Sequence, residues 1–180
     1  MRKNIRLCGS GGQGIMTAGY ILGKAASVFH DYNAVQMQSY GPEARGGAAR
    51  SEVVISDREI GYCGLPSTDN MMVMSQPAWD KYHKDLTEES IVVLDPDLVV
   101  NYDFENVIEI PATQMAEDLG NKIVANIVMI GGFNAVTKLV PDEALEESVK
   151  DSVPKQFTEL NFNALKRGRD YVTSHHTKKD

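Results

Sequence analysis

The sequence is poor in cysteine. Cys8 and Cys63 are the two present among 180 residues, too few to hold an iron–sulfur cubane or a structural zinc without other ligands. They cannot form a disulfide framework. "MRKNIRLCGS" is no signal peptide, because its apolar stretch is too short. Two free thiols in a reducing cytosol are therefore expected. Long apolar runs are also lacking, since none approaches the roughly 20 residues needed to span a bilayer. Positive charge is the minority sign: 18 Lys and Arg stand against 25 Asp and Glu, a formal net charge of −7. An acidic surface repels phosphate backbones, which argues against nucleic acid as a partner. There is no internal repeat, low-complexity tract or linker. What is present, 42% hydrophobic and 24% charged residues, suits a soluble globular chain long enough for one real core.

Periodicity sets the element order. Ile5–Cys8 reads as a buried strand and is followed by the glycine loop "GSGGQG". Ala18, Ile21, Leu22, Ala25, Ala26 and Phe29 then recur at helical spacing, and Asn33–Gln38 reads as a second strand. Strand, loop, helix and strand in that order predict a βαβ unit with a right-handed crossover. Ser51–Ser56 and Glu59–Tyr62 read as short strands around Asp57-Arg58. Strands are also expected at Asn70–Met74, Ile91–Leu94 and Val107–Ile110, with a helix near Pro77–Lys84. The last third reads as helical: Thr113–Leu119, a buried Lys122–Leu139, Pro141–Lys150 with acids in its first turn, and Phe157–Ser174. The expected fold is α/β, a single Rossmann-like domain over residues 1–180. It has a mainly parallel sheet flanked by helices and a helical C-terminal third, with 172–180 frayed.

Gly9-x-Gly11-x-x-Gly14 ends the first strand and opens the first helix. Glycines there allow a tight turn and close backbone approach, and the helix points free N–H groups at the loop, ready for an anion. Three readings follow: a dinucleotide, another phosphate-bearing ligand, or a structural turn. A nicotinamide site wants an acid at the end of the second strand for the ribose hydroxyls. That place holds Gln38-Ser39, and Asp31 lies at the strand's other end. No Gly-Lys-Ser/Thr follows, so this is not the phosphate loop of the NTPases. A free-standing NAD(P)- or flavin-binding reductase remains the competing class.

"SYGPEARGGAA", residues 39–49, is the second informative loop. Loops at the carboxyl ends of parallel strands line the ligand crevice, so the two glycine-rich loops are expected side by side with Arg45 between them. Together "GSGGQGIMTAGYILGKAA", "QSYGPEARGGAARSEVVIS" and "ANIVMIGGFNAV" resemble the gamma subunit of 2-oxoacid:ferredoxin oxidoreductases. The resemblance runs over about residues 4–140, in order. "SYGPEARGG" looks most like the 2-oxoglutarate branch; the 2-oxoisovalerate, pyruvate and indolepyruvate branches are the alternatives. Such enzymes decarboxylate a 2-oxoacid oxidatively, transfer the acyl group to coenzyme A and reduce ferredoxin. The resemblance implies thiamine diphosphate and iron–sulfur clusters on partner subunits (alpha, beta and in some complexes delta), and an inactive isolated chain. It further implies that Ser10, Gly11, Gly12 and Gln13, with Ser39, Tyr40, Arg45, Gly46 and Gly47, either contact coenzyme A or present backbone to a partner subunit.

The other residues have plainer readings. Ser39 and Tyr40 could instead stabilise their turn. Arg45 and Arg50 could pair with Glu43, Glu52 or a partner chain. Met71, Met72 and Met74 read as core, Trp79 as a packing anchor, His83 as solvated, and Asp95-Pro96-Asp97 as a turn, not a catalytic carboxylate pair. His175-His176 reads as a terminal pair without a metal role. No nucleophile–base constellation emerges.

Overall fold

The computed structural model describes residues 1–39 and 48–176. They form a six-stranded sheet in the order β2-β3-β1-β4-β5-β6. The strands are β1 (Arg2–Gly9), β2 (Asn33–Gln38), β3 (Ala49–Ser56), β4 (Thr68–Val73), β5 (Leu86–Leu94) and β6 (Val107–Glu109). β1, β4, β5 and β6 run parallel, while β3 pairs antiparallel with both β1 and β2. The helices are α1 (Ile15–Ser27), α2 (Gln76–Tyr82), α3 (Ala112–Asp118), α4 (Ala125–Thr137), α5 (Asp142–Ser152) and α6 (Thr158–His176).

Alternation along the strands builds two cores. Ile5, Leu7, Val53, Ile55, Met72 and Met74 face α1 and α4, with α3, α5 and α6 completing that layer. Cys8, Met71, Val73, Val92 and Leu94 face α2 and the segment after β5. The three methionines are thus core. α4 is buried at every position from Ala125 to Ala135, as expected of a helix apolar on most sides. Its approach to α6 is backbone to backbone: a Cβ at Gly168 would strike the Val128 carbonyl, and one at Gly131 the Leu165 carbonyl.

Three expectations change. β1 and β2 share a direction but are not neighbours, because β3 returns from β2 and inserts between them. Residues 57–67 form no strand; instead Asp57 N–H donates to the Met1 carbonyl and Arg2 holds the carbonyls of Tyr62 and Gly64. The long buried helix opens with a 3-10 turn at Lys122–Val124. α6 runs to His176, and the residues after it lie outside the described ones.

Candidate functional site

The carboxyl ends of β1, β4 and β5 converge on the glycine loop. Gly12 (φ 89°) and Gly14 (φ 71°) take left-handed conformations, which L side chains avoid. Gly14 must also stay bare because a Cβ would meet the Asn126 amide; that amide donates to the Gly14 carbonyl at 3.1 Å. Gln13 braces the loop from inside. Its Oε1 accepts from Ser10 N–H at 2.6 Å, and its Nε2 donates to the Met74 carbonyl at 2.7 Å, tying the loop to the end of β4. Gln13 is thus committed to loop geometry, and Gly11 and Gly12 are the exposed members, with no atom within 4 Å of where a Cβ would stand. The loop presents bare backbone outward. α1 begins behind it with no side-chain cap and no acid in its first turn, so its end stays electropositive.

Two clefts flank the loop. One of about 400 Å³ lies between Gly11–Gln13, Met74, Leu98, Thr113 and the 3-10 turn. The other, about 330 Å³, runs past Gly12, Gly14 and Asn126 to Pro154 and Phe157. Ile123, 81% exposed, forms the ridge between them. Asn126, Ile123 and Thr113 were missed from the sequence. Asn126 did lie in the quoted "ANIVMIGG" segment, but inside a helix it carried no signal of its own.

Asp95, at the end of β5, lies behind the first cleft and holds its lining residue Thr113. It is fully buried, and its carboxylate accepts from Thr113 N–H (2.8 Å), Thr113 Oγ1 (2.6 Å) and Asp97 N–H (3.1 Å). Burial, partly offset by these bonds, holds its carboxyl above the usual range. The Asp95–Asp97 contact is the expected turn; the bond to α3 is an addition.

The stem of the second loop is visible on its described side. Ser39 and Arg50 hold each other: Ser39 N–H donates to the Arg50 carbonyl, and Arg50 N–H to Ser39 Oγ. Ser39 therefore performs the stem-stabilising role. Arg50 lies 3.8 Å from Glu52 and over the Tyr82 ring, whose hydroxyl donates to the Ala48 carbonyl. Behind this, Arg6, nearly enclosed, pairs with Glu52 (2.7 Å) and Asp85 (2.5 Å). Tyr40, Arg45, Gly46 and Gly47 lie outside the described residues. Because β3 separates β1 from β2, the position that would need a ribose-binding acid is one strand away from the glycine loop, which weighs further against a nicotinamide site.

The thiols suit neither catalysis nor metal. Burial pushes Cys8 up to about 12, so it is no thiolate ligand, and Cys63 is free and exposed. Among the described residues no group of three or more His, Cys, Asp and Glu could hold a metal ion. No helix among them is long and apolar enough to cross a membrane. Trp79 is buried as expected, and His83 is half-buried, with its ring stacked on Trp79 and Nδ1 2.8 Å from the Trp79 carbonyl.

Comparison with known proteins agrees with this architecture. Residues 4–171 match the family model for pyruvate ferredoxin/flavodoxin oxidoreductase. The chain is 47% identical to the 2-oxoglutarate synthase subunit KorC of Methanothermobacter thermautotrophicus, covering 96% of each. The crystal structure of a keto/oxoacid ferredoxin oxidoreductase gamma subunit from Geobacter sulfurreducens superposes with a TM-score of 0.89 at 40% identity, covering 97% of this chain and 98% of that one. The same fold forms 32% of a chain in the 2-oxoglutarate:ferredoxin oxidoreductase of Magnetococcus marinus, solved with 2-oxoglutarate, coenzyme A and succinyl-CoA (TM-score 0.86, 22% identity, 99% of this chain). On the family match and these near full-length relatives, this chain belongs to the pyruvate ferredoxin/flavodoxin oxidoreductase family, as a chain of its gamma-subunit type.

Proposed function

We propose that the chain is the gamma-type subunit of a 2-oxoglutarate:ferredoxin oxidoreductase, which converts the 2-oxoacid and coenzyme A to acyl-coenzyme A and carbon dioxide while reducing ferredoxin. The observation that carries this reading is the 47% identity to a 2-oxoglutarate synthase subunit across nearly the whole of both chains. Thiamine diphosphate supplies the carbanion chemistry and iron–sulfur clusters the electron path, both on partner subunits of alpha, beta and delta type. This chain packs against those subunits and forms part of the coenzyme A path. The geometry supports that role: Gly11 and Gly12 offer exposed main chain beside an uncapped helix end, a surface suited to a phosphate or to a partner's backbone.

The test is on the native complex. The chain is tagged and purified anoxically with its partners, and viologen reduction by 2-oxoglutarate is followed with and without coenzyme A. Coenzyme A-dependent reduction, greater with 2-oxoglutarate than with pyruvate or branched 2-oxoacids, is expected. No reduction with any 2-oxoacid and no larger partners in the preparation would overturn the reading. Within an active complex, Arg45→Ala separates a ligand-contacting loop from a pure scaffold. Loss of a charge-assisted hydrogen bond to coenzyme A weakens its binding by on the order of 1–3 kcal/mol, whereas unchanged affinity removes Arg45 from the site.

A further inference from the structure

Charge is unevenly distributed along this chain. From Asp85 to Asn121 there are ten Asp and Glu and no Lys, Arg or His, leaving fifteen acids against eighteen Lys and Arg in the remainder. The fold places this stretch at one end of the sheet, as β5, the segment after it, the edge strand β6 and α3. Some of these carboxylates are already used: Asp85 on Arg6, Glu117 on Lys122, Asp118 on Arg167, and Asp95 in its buried clamp. Asp97, Asp103, Glu105 and Glu109 are exposed and form no ion pair among the described residues.

On the same end, sharing no lining residue with the glycine loop's clefts, lies an open groove lined by Trp79, His83, Val100, Asn101, Tyr102 and Asp103. Val100 is 69% exposed there, although its neighbour Val99 is core. The groove is rigidly backed. Gln76 Oε1 accepts from the N–H groups of Val100 and Asn101, and its Nε2 donates to the Asn101 carbonyl and to Asp80. Tyr102 packs edge-on to Trp79 and donates its hydroxyl to Glu109 at 2.6 Å. The half-buried Tyr102, the His83 ring stacked over buried Trp79, an exposed valine and Asp103 are therefore held together, with Asp80 and Glu109 close by through their bonds to Gln76 and Tyr102. The nearby cations are Lys81, which stands over Tyr82, and Lys84 at the end of the 3-10 turn.

We infer that this groove docks a basic, apolar-tipped segment of a companion subunit, with an arginine or lysine seated against Tyr102 beside the Asp103 carboxylate. That the occupant belongs to a companion subunit rests on the complex proposed above; its chemistry rests on charge complementarity alone. Aromatic faces attract desolvated cations, and the unpaired carboxylates supply complementary field. A second copy of this chain meets like charge at this end, and nucleic acid is repelled by it.

The probes are a short Arg- and Leu-containing synthetic peptide, followed by NMR on the full chain, and the purified companion subunits, followed by binding assay. The peptide is expected to shift Trp79, Val100 and Tyr102 selectively. The double variant Asp103→Lys/Glu105→Lys, at two exposed residues, is expected to abolish those shifts and to weaken companion binding at least about tenfold, with an unchanged thermal midpoint as the control for folding. The wild-type contact should also weaken as salt is raised from about 50 to about 300 mM, where the screening length shortens. Peptide shifts scattered over the surface, or equal companion binding by wild type and double variant, would overturn the inference. The peptide result is independent of the enzyme's substrate, so an inactive complex with selective shifts counts against the oxidoreductase reading and not against the groove.

Discussion

The Asp95 carboxylate is enclosed by protein and receives three donors from Thr113 and Asp97. Removing it strands them. Asp95→Ala is expected to cost about 2–4 kcal/mol in urea unfolding, the scale of buried donors left unmet plus a small void. Its pH dependence has a definite sign. The folded carboxyl is raised above its unfolded value by burial, so its contribution to stability is fullest below the unfolded value and is lost as pH rises through the folded one. Asp95→Asn keeps an acceptor for Thr113 and has nothing to titrate. The stability difference between wild type and Asp95→Asn should therefore move against wild type as pH rises from the ordinary carboxylate range upward. A pH-independent difference would show that Asp95 titrates as it does in the unfolded chain. At Gly12 a methyl meets no atom within 4 Å but is forced to φ 89°. Gly12→Ala should thus cost only about 1–2 kcal/mol of stability. If the loop's backbone meets coenzyme A, the same methyl weakens that binding by more than the fold loses; equal coenzyme A affinity would leave the loop to a partner subunit.

Between α4 and α6, two glycines let the helix backbones touch. Gly168→Ala gains roughly 1 kcal/mol of helix propensity, yet its Cβ falls on the Val128 carbonyl, backbone that cannot rotate aside. A net loss of about 2–4 kcal/mol is expected from the displaced helix packing, read as a lower thermal midpoint with helix content retained. A midpoint equal to wild type would mean that the interhelical contact is loose. This crossing shows which part of the architecture local pattern can reveal. The 3.6-residue spacing located α1 and α4–α6, and apolar runs located β1, β2 and β4–β6, because each pattern is set within its own segment. Gly131 and Gly168 gave no such sign, since their role depends on a surface more than thirty residues away in sequence. Strand order escaped for the same reason: β3 reads as a strand by itself, but nothing in Ala49–Ser56 says that it inserts between β1 and β2. At the site, Gly11 and Gly12 were legible from turn chemistry. Asn126, 112 residues from the carbonyl it holds, was not.

At the scale of the whole molecule, the chain is built to be incomplete. Its carboxyl-edge clefts are lined by Gln13 and Asn126 and backed by Asp95 through Thr113, and in each case hydrogen bonds spend the side chain on backbone or on a neighbouring side chain of the same chain. Cys8 is too deeply buried to ionise near neutral pH, and Cys63 belongs to no group of three or more metal-ligand side chains among the described residues. Among the described residues the outward features include bare glycine backbone, the Ile123 ridge and the Val100 groove, which serve contact better than bond-making. The chain purified alone and anoxically is therefore expected to fold, to show no broad visible absorbance from clusters, and to leave viologen oxidised in the presence of 2-oxoglutarate and coenzyme A. Adding the companion subunits should restore both absorbance and reduction. Replacing Ile123 by Asp in that reconstitution should slow or weaken assembly without changing the chain's own unfolding, because an 81% exposed side chain supports little of its own fold. If the lone chain decarboxylated 2-oxoglutarate, the division of labour would be wrong and the clefts beside the glycine loop would have to hold the reacting groups themselves.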